Sequence, residues 1–292
     1  MRETFKIVCV LIFINFFIVG CIDKNATATN EVIEGECSLN ADYIINTEPI
    51  RLYSDNLDAP TIILLHGKNG SPLSSDIYSL ADDFKFDGYN VIMPYMAWSS
   101  TQWSGTFCDS ISYLNYLILT EKAKTDQDVI LAGYDLGATV ALSYEAMSNT
   151  LKADTLNILA PSHFIHQDSA LANAHADSIA LAKEMVENNQ SDEIKTFYTY
   201  NNNTAVAITT TPEIYLSFHD IDEFPNIEET TPLVFTWMLW LAGQDDPLTT
   251  SAMSYGIVDL IPSYQTYKEI PGNHTTFLTD VSDEFNTWYN EY

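Results

Sequence analysis

Basic residues are scarce: 12 Lys and Arg stand against 40 Asp and Glu in 292 residues, a formal net charge of −28. A surface this acidic repels phosphate backbones, which excludes nucleic acid as a partner. The negative charge is spread along the chain and reads as solvated surface rather than as a binding feature. Cysteine is sparse too, limited to Cys9, Cys21, Cys37 and Cys108. No internal repeat, low-complexity tract or Gly-rich phosphate loop occurs, and no apolar run is long enough to span a bilayer comfortably. Against these absences stand 46% hydrophobic and 12% aromatic residues. That is enough to bury a full core, and too much for a disordered acidic chain.

The N-terminus has the pattern of an export signal. Arg2 and Lys6 precede an apolar run, Ile7 to Gly20, interrupted by Asn15. The run ends Ile18-Val-Gly-Cys21, which resembles the bacterial lipobox. The resemblance implies removal of residues 1–20 and acylation of Cys21. An ordinary cleaved signal or an uncleaved anchor is the alternative. Ile22 follows the cysteine where Asp does not, which by the same resemblance implies an outer-membrane lipoprotein facing the periplasm or the exterior. Residues 21–57 are expected to form a polar tether and N-terminal strands. Two thiols are then left, and an oxidising envelope suits a Cys37–Cys108 disulfide, with two buried free thiols as the alternative.

From residue 58 to 292 strand and helix patterns alternate. Thr61 to Leu65 is a short continuous apolar run, as in a strand covered on both faces. A helix follows with Ile77, Leu80, Ala81 and Phe84 on one face and Gly88 at its end. Tyr89–Met93, Asp128–Gly133 and Thr155–Ala160 read as strands, Asp109–Thr120 and Leu136–Ser148 as helices. This order predicts an α/β fold with a doubly wound, mostly parallel sheet. The rhythm lapses at about 162–232, read as a cap-like insertion over the carboxyl edge of the sheet. Within it Ser169–Glu187 is helical, while Tyr198–Asn203 and Thr209–Pro212 read as irregular loop. Leu233–Leu241 reads as the next buried strand.

Short motifs at the ends of these strands share one chemistry. They are Leu64-Leu-His-Gly-Lys-Asn-Gly70, Gly133-Tyr-Asp-Leu-Gly137, Leu241-Ala-Gly-Gln-Asp-Asp-Pro247 and Gly272-Asn-His274. Small residues two before and two after Asp135 suit a sharp strand-turn-helix bend. In this order the motifs resemble the α/β-hydrolase fold family. More narrowly, the stretches around His66, Pro94-Tyr-Met-Ala-Trp-Ser99 and Leu159-Ala-Pro-Ser-His163 resemble bacterial hydrolases loosely called esterase-like. The resemblance implies Asp135 as nucleophile, His274 as base, Asp246 (or its neighbour Asp245) as the residue orienting that base, and the backbone N–H groups of Lys68 and Leu136 as an oxyanion hole. It also implies a small-molecule substrate and no cofactor.

Asp135 departs from the Ser most often found at this bend. A carboxylate attacking an ester yields an anhydride, a poor intermediate. Displacement at a saturated carbon bearing a halide or epoxide oxygen yields an alkyl ester that water and His can hydrolyse. Trp98, Trp103, Tyr134, Tyr198, Tyr200 and Tyr215 are candidate donors to such a leaving group. Two other readings stand beside this one: an ester hydrolase with Asp135 as base for direct water attack, and a non-catalytic protein that binds a ligand or partner. His66 is expected to brace the oxyanion loop. His163, His166 and His175 hint at a metal site but lack a matching carboxylate spacing. Asp220–Glu229 lacks the alternate-ligand pattern of a calcium loop. No metal is assigned, and oligomeric state is left open.

Overall fold

The computed structural model describes residues 37–39, 47–201 and 204–291. The signal sequence, Cys21 and most of the tether lie outside the described residues. Among those described, no helix is long and apolar enough to cross a membrane.

Seven strands form the main sheet: β1 (Ile50–Leu52), β2 (Thr61–Leu65), β3 (Asn90–Met93), β4 (Val129–Tyr134), β5 (Thr155–Leu159), β8 (Trp237–Gly243) and β9 (Thr266–Ile270), in the spatial order β1-β3-β2-β4-β5-β8-β9. β1 runs antiparallel to β3, and every other pair is parallel. The continuous apolar runs are explained by two covered faces. Ile63, Leu65 and Leu131 point into one core, while Ile62, Leu64 and Ile130 point into the other. The second core is closed by α1 (Ser75–Phe86) and α8 (Val281–Asn290), through Ile77, Leu80, Ala81 and Phe84 on one helix and Val281, Phe285 and Trp288 on the other. The first is closed by α2 (Phe107–Lys122) and α3 (Leu136–Ala146). α2 starts on a reciprocal cap between Thr106 and Asp109. α3 is buried from Leu136 through Glu145 and has no solvent face.

Between β5 and β8 the chain leaves the sheet. It forms α4 (Ser169–Glu187), a hairpin of β6 (Lys195–Asn201) and β7 (Thr204–Thr210), α5 (Pro212–His219) and the short α6 (Ile227–Thr230). The hairpin corrects the irregular loop expected at 198–203 and 209–212. Its alternation is real, with Phe197, Thr199, Ile208 and Thr210 buried. Threonine carries half of the inward positions, so the period is faint by hydrophobicity. The strand expected at 233–241 also shifts. Leu233 and Phe235 are 53% and 76% exposed, and pairing begins at Trp237 opposite Thr155. A 3₁₀ turn over Thr231–Leu233, with Pro232 inside it, keeps the first apolar residues out of the sheet. β9 was not apparent from the sequence, since its residues are mostly half-exposed.

β1 belongs to the stretch assigned to tether and N-terminal strands, and it is the edge of the sheet. Cys37 and Cys108 are joined by a disulfide, which ties the chain ahead of β1 to the first turn of α2.

Candidate active site

β4 runs straight into α3, and the single residue between them is Asp135. Its backbone has φ 56° and ψ −121°, a region that a non-glycine residue adopts at a cost of roughly 1–3 kcal/mol. The bend is tight because two glycines let it be. A Cβ on Gly133 would lie 2.4 Å from the Gly137 carbonyl oxygen, and one on Gly137 would lie 2.7 Å from the His66 carbonyl oxygen. Asp135 is the N-cap residue of α3, but its carboxylate makes no cap hydrogen bond to that helix and turns to Lys68 and His274.

The two carboxylate oxygens have different partners. Oδ2 accepts the Lys68 backbone N–H at 2.7 Å, whereas Oδ1 lies 3.6 Å from His274 Nε2. His274 Nδ1 donates to Asp246 Oδ2 at 2.9 Å. Asp246 ends the turn after β8 and caps α7 (Pro247–Ser254): its Oδ1 accepts the Leu248 N–H at 2.8 Å, and its side chain is fully buried. Asp245, the alternative, is exposed and meets Gly272 through its backbone. His274 follows β9. Its carbonyl accepts the Tyr134 hydroxyl at 3.1 Å, and its ring lies 5.0 Å from the Tyr134 ring. The residue preceding Asp135 thus positions the loop that carries the imidazole.

Charge follows from this geometry. Burial alone lowers the His274 pKa, but the carboxylates on its two nitrogens outweigh burial and raise it to about 9. Burial pushes Asp135 upward, and the His274 ring and Lys68 ammonium overcome that and hold it well below the usual carboxylate range. At rest, therefore, an imidazolium on His274 faces an ionised Asp135. His66 is the brace expected of it: Nδ1 donates to the Gly67 carbonyl at 2.8 Å, and Nε2 accepts the Ser99 hydroxyl at 2.7 Å. Burial lowers its pKa to about 4, so it is neutral.

A cavity of about 640 Å³ opens on Asp135 and His274, lined also by Lys68, Ser162, His163, Tyr200 and Leu248. Most of the aromatic donors expected for a leaving group are engaged elsewhere. The Trp98 indole donates to the His66 carbonyl, Trp103 to Asn69 Oδ1, Tyr134 to the His274 carbonyl and Tyr215 to the Tyr198 carbonyl. Tyr198 is half exposed and is not among the residues lining the cavity. Tyr200 does reach it.

The histidines expected near one another separate into two groups. His166 donates to the Phe224 carbonyl, while His163 and His175 form a buried group with His219, which sequence reasoning passed over. His163 donates to the Phe218 carbonyl, His175 to Leu171 and His219 to Tyr215, so each ring has one nitrogen committed to backbone. Among the described residues no group of three or more His, Cys, Asp or Glu is placed to hold a metal ion. The Lys68 side chain, also passed over, reaches this group. Its only sequence signal is a rare basic residue directly after the His-Gly pair.

With fold and site in view, known structures give a consistent answer. The alpha/beta hydrolase GrgF from Penicillium sp. sh18 superposes with a TM-score of 0.65 at 12% identity, over 83% of this chain and 91% of that one. The chain has the α/β-hydrolase fold. A monoacylglycerol lipase from Paleococcus ferrophilus matches this fold with a TM-score of 0.58 at 15% identity, covering 84% of this chain and 98% of the lipase. Est1E from Butyrivibrio proteoclasticus gives 0.54 at 13%, over 83% and 93%. No protein-family profile and no curated protein sequence matches the chain. In this fold Asp135 stands at the strand-to-helix bend after β4, with Asp246 and His274 after β8 and β9.

Proposed function

We propose that the protein is a hydrolase of small organic substrates that works through a covalent ester on Asp135. In this reading Asp135 Oδ1 attacks a saturated carbon and expels the leaving group. Water then attacks the Asp135 carbonyl carbon with His274 as base. The observation that carries the reading is the division of labour between the two Asp135 oxygens: the Lys68 amide holds Oδ2, Oδ1 lies 3.6 Å from the imidazole, and the residue lines the cavity.

The charge state supports the order of steps. A His274 ring with a pKa of about 9 is protonated at neutral pH and cannot serve as base. Once Asp135 becomes a neutral ester, one of the two carboxylates raising that pKa has lost its charge, and the ring sheds its proton. The base is armed by the first step. The Lys68 amide then faces the ester carbonyl oxygen, where negative charge develops during hydrolysis.

Direct ester hydrolysis is less well served. An incoming carbonyl oxygen needs the Lys68 amide, and Asp135 Oδ2 already occupies it. A purely binding role leaves the strained backbone at Asp135 without a purpose. Hydrolysis in the broad sense is also what the names of the lipase and the hydrolase that share the fold state, of those proteins. The test is intact-mass and peptide-mass analysis of a His274→Ala variant after incubation with haloalkanes and epoxides. An alkyl mass on the peptide carrying Asp135 is expected; no adduct with any member of the panel overturns the proposal. We further propose that Cys21 is acylated and tethers the domain to the bacterial envelope. Cys21→Ser should move the protein from the membrane to the soluble fraction, and an unchanged distribution contradicts the anchor.

A further inference from the structure

We propose that Lys68 Nζ is the proton donor to the leaving group, and that the substrate is therefore an epoxide. The inference rests on the covalent role given to Asp135 above and adds the residue and the substrate class.

Lys68 contributes twice to the site. Its amide grips the nucleophile at 2.7 Å, and its side chain lines the same cavity. It is the sole lysine or arginine among the described residues lining that cavity. The ammonium is held at two points: Nζ donates to the Tyr200 carbonyl of β6 at 2.7 Å and lies 3.5 Å from His163 Nδ1. An ammonium has three N–H groups. Two of the three are accounted for by these contacts, and the side chain lines the cavity that opens on Asp135. The hold on His163 is directional, because His163 Nε2 is committed to the Phe218 carbonyl and leaves Nδ1 as a lone pair.

The leaving group follows from what surrounds the cation. A departing halide needs charge stabilisation but no proton, and it is best served by indole or phenol donors in a dry apolar pocket. Here both indoles of the neighbouring loop are spent on His66 and Asn69, and the Tyr134 hydroxyl on the His274 carbonyl. Tyr200 is the remaining phenol that reaches the cavity, and the wall also carries Lys68, Asp76, Asp168 and Asn201. A departing alkoxide needs a proton as well as a charge. Burial lowers the Lys68 pKa, opposed by the Asp135 carboxylate, which makes the ammonium a better acid than a solvated one.

The steps balance. Asp135 Oδ1 forms a bond to one epoxide carbon while that carbon's bond to the ring oxygen breaks, and the alkoxide takes a proton from Lys68. His274, now beside a neutral ester, passes its proton through solvent to the Lys68 amine. Water adds to the Asp135 carbonyl carbon as His274 accepts its proton. Collapse breaks the ester bond, and the departing alkoxide is protonated by His274. The new Asp135 carboxyl returns a proton to His274. The sum is epoxide plus water giving a vicinal diol.

The test compares adduct formation on Asp135 in the His274→Ala background, using 1,2-epoxyhexane and 1-bromohexane as matched probes. Lys68→Met should slow alkylation by the epoxide more than 100-fold, roughly the worth of a general acid, and by the bromide less than 10-fold. Lys68→Arg should not rescue the epoxide reaction, because a guanidinium keeps the charge but gives up no proton. With Lys68 intact, the epoxide rate should fall as pH rises through the lysine's titration, and the bromide rate should not. Equal losses with both probes, or full rescue by Lys68→Arg, overturn the acid role while leaving Asp135 as nucleophile. No adduct from either probe with Lys68 intact overturns both.

Discussion

A protonated ring between two carboxylates takes no proton, and His274 is in that state below about pH 9. Its raised pKa also stabilises the fold. The unfolded ring titrates near 6.5, so the contribution is complete below that pH and is lost as pH rises through 9. Asp246→Asn removes the buried anion behind the ring, and two outcomes follow. Alkylation of Asp135 proceeds while release of product slows roughly 10²- to 10⁴-fold, so adduct accumulates and appears as a burst in rapid-quench experiments. The melting temperature of the variant also declines less steeply from pH 7 to 9.5 than that of the unmodified protein. Slow turnover without a burst would confine Asp246 to a structural role. At this scale the sequence was readable where a residue ends a buried strand, as Asp135 and Asp246 do after β4 and β8, whereas His274 follows the half-exposed β9 and was read from its Gly-Asn-His motif alone. The Lys68 side chain was hidden, because its direction depends on Tyr200 and His163, which are remote in the chain.

Between residue and molecule, the insertion is the element that supplies much of the cavity wall, through His163, Asp168, Leu171, Tyr200 and Asn201. It is held by polar groups kept neutral. His163, His175 and His219 are 4%, 0% and 1% exposed, and burial lowers the pKa of each, to about 4 for His175. For His175 and His163 the nearby Lys68 charge lowers it further. The His175 ring is neutral in the folded state and protonated in the unfolded one between pH 4 and 6.5, and burial shifts His163 and His219 in the same direction. Stability from them is therefore complete above about 6.5 and is lost as pH falls toward 4. Loss should begin where they pack. Hydrogen exchange at pH 5 is expected to deprotect β6, β7 and α5 while β2, β4 and β5 stay protected. Simultaneous loss across sheet and insertion, or none down to pH 4, contradicts this. The hairpin was illegible for a related reason. Thr199 and Thr210 face inward and stay satisfied through His219 and the Trp103 carbonyl, so burial there leaves little trace in hydrophobicity. The strands of the main sheet were legible because apolar residues alone fill both of their faces.

For the molecule as a whole, the parallel sheet was readable from the alternation of apolar runs and amphipathic helices, whereas β9 and the true start of β8 depended on tertiary pairing. Excess negative charge leaves few cations to place, and one of the twelve basic residues is spent inside the cavity. The disulfide between Cys37 and Cys108 closes a loop of 71 residues, worth roughly 4 kcal/mol in the chain-entropy account. It fixes the start of the described chain to α2, which carries part of the core beneath the insertion. Sheet, insertion and charge converge on one carboxylate, and its chemistry is the claim on which the rest depends. The most direct measurement is a single turnover of the unmodified protein on 1,2-epoxyhexane in water enriched in oxygen-18. The account predicts heavy oxygen in the Asp135 carboxylate and none in the first equivalent of diol. Heavy oxygen in that first diol, with Asp135 unlabelled, would mean that water attacks the substrate directly, and the covalent account would be wrong.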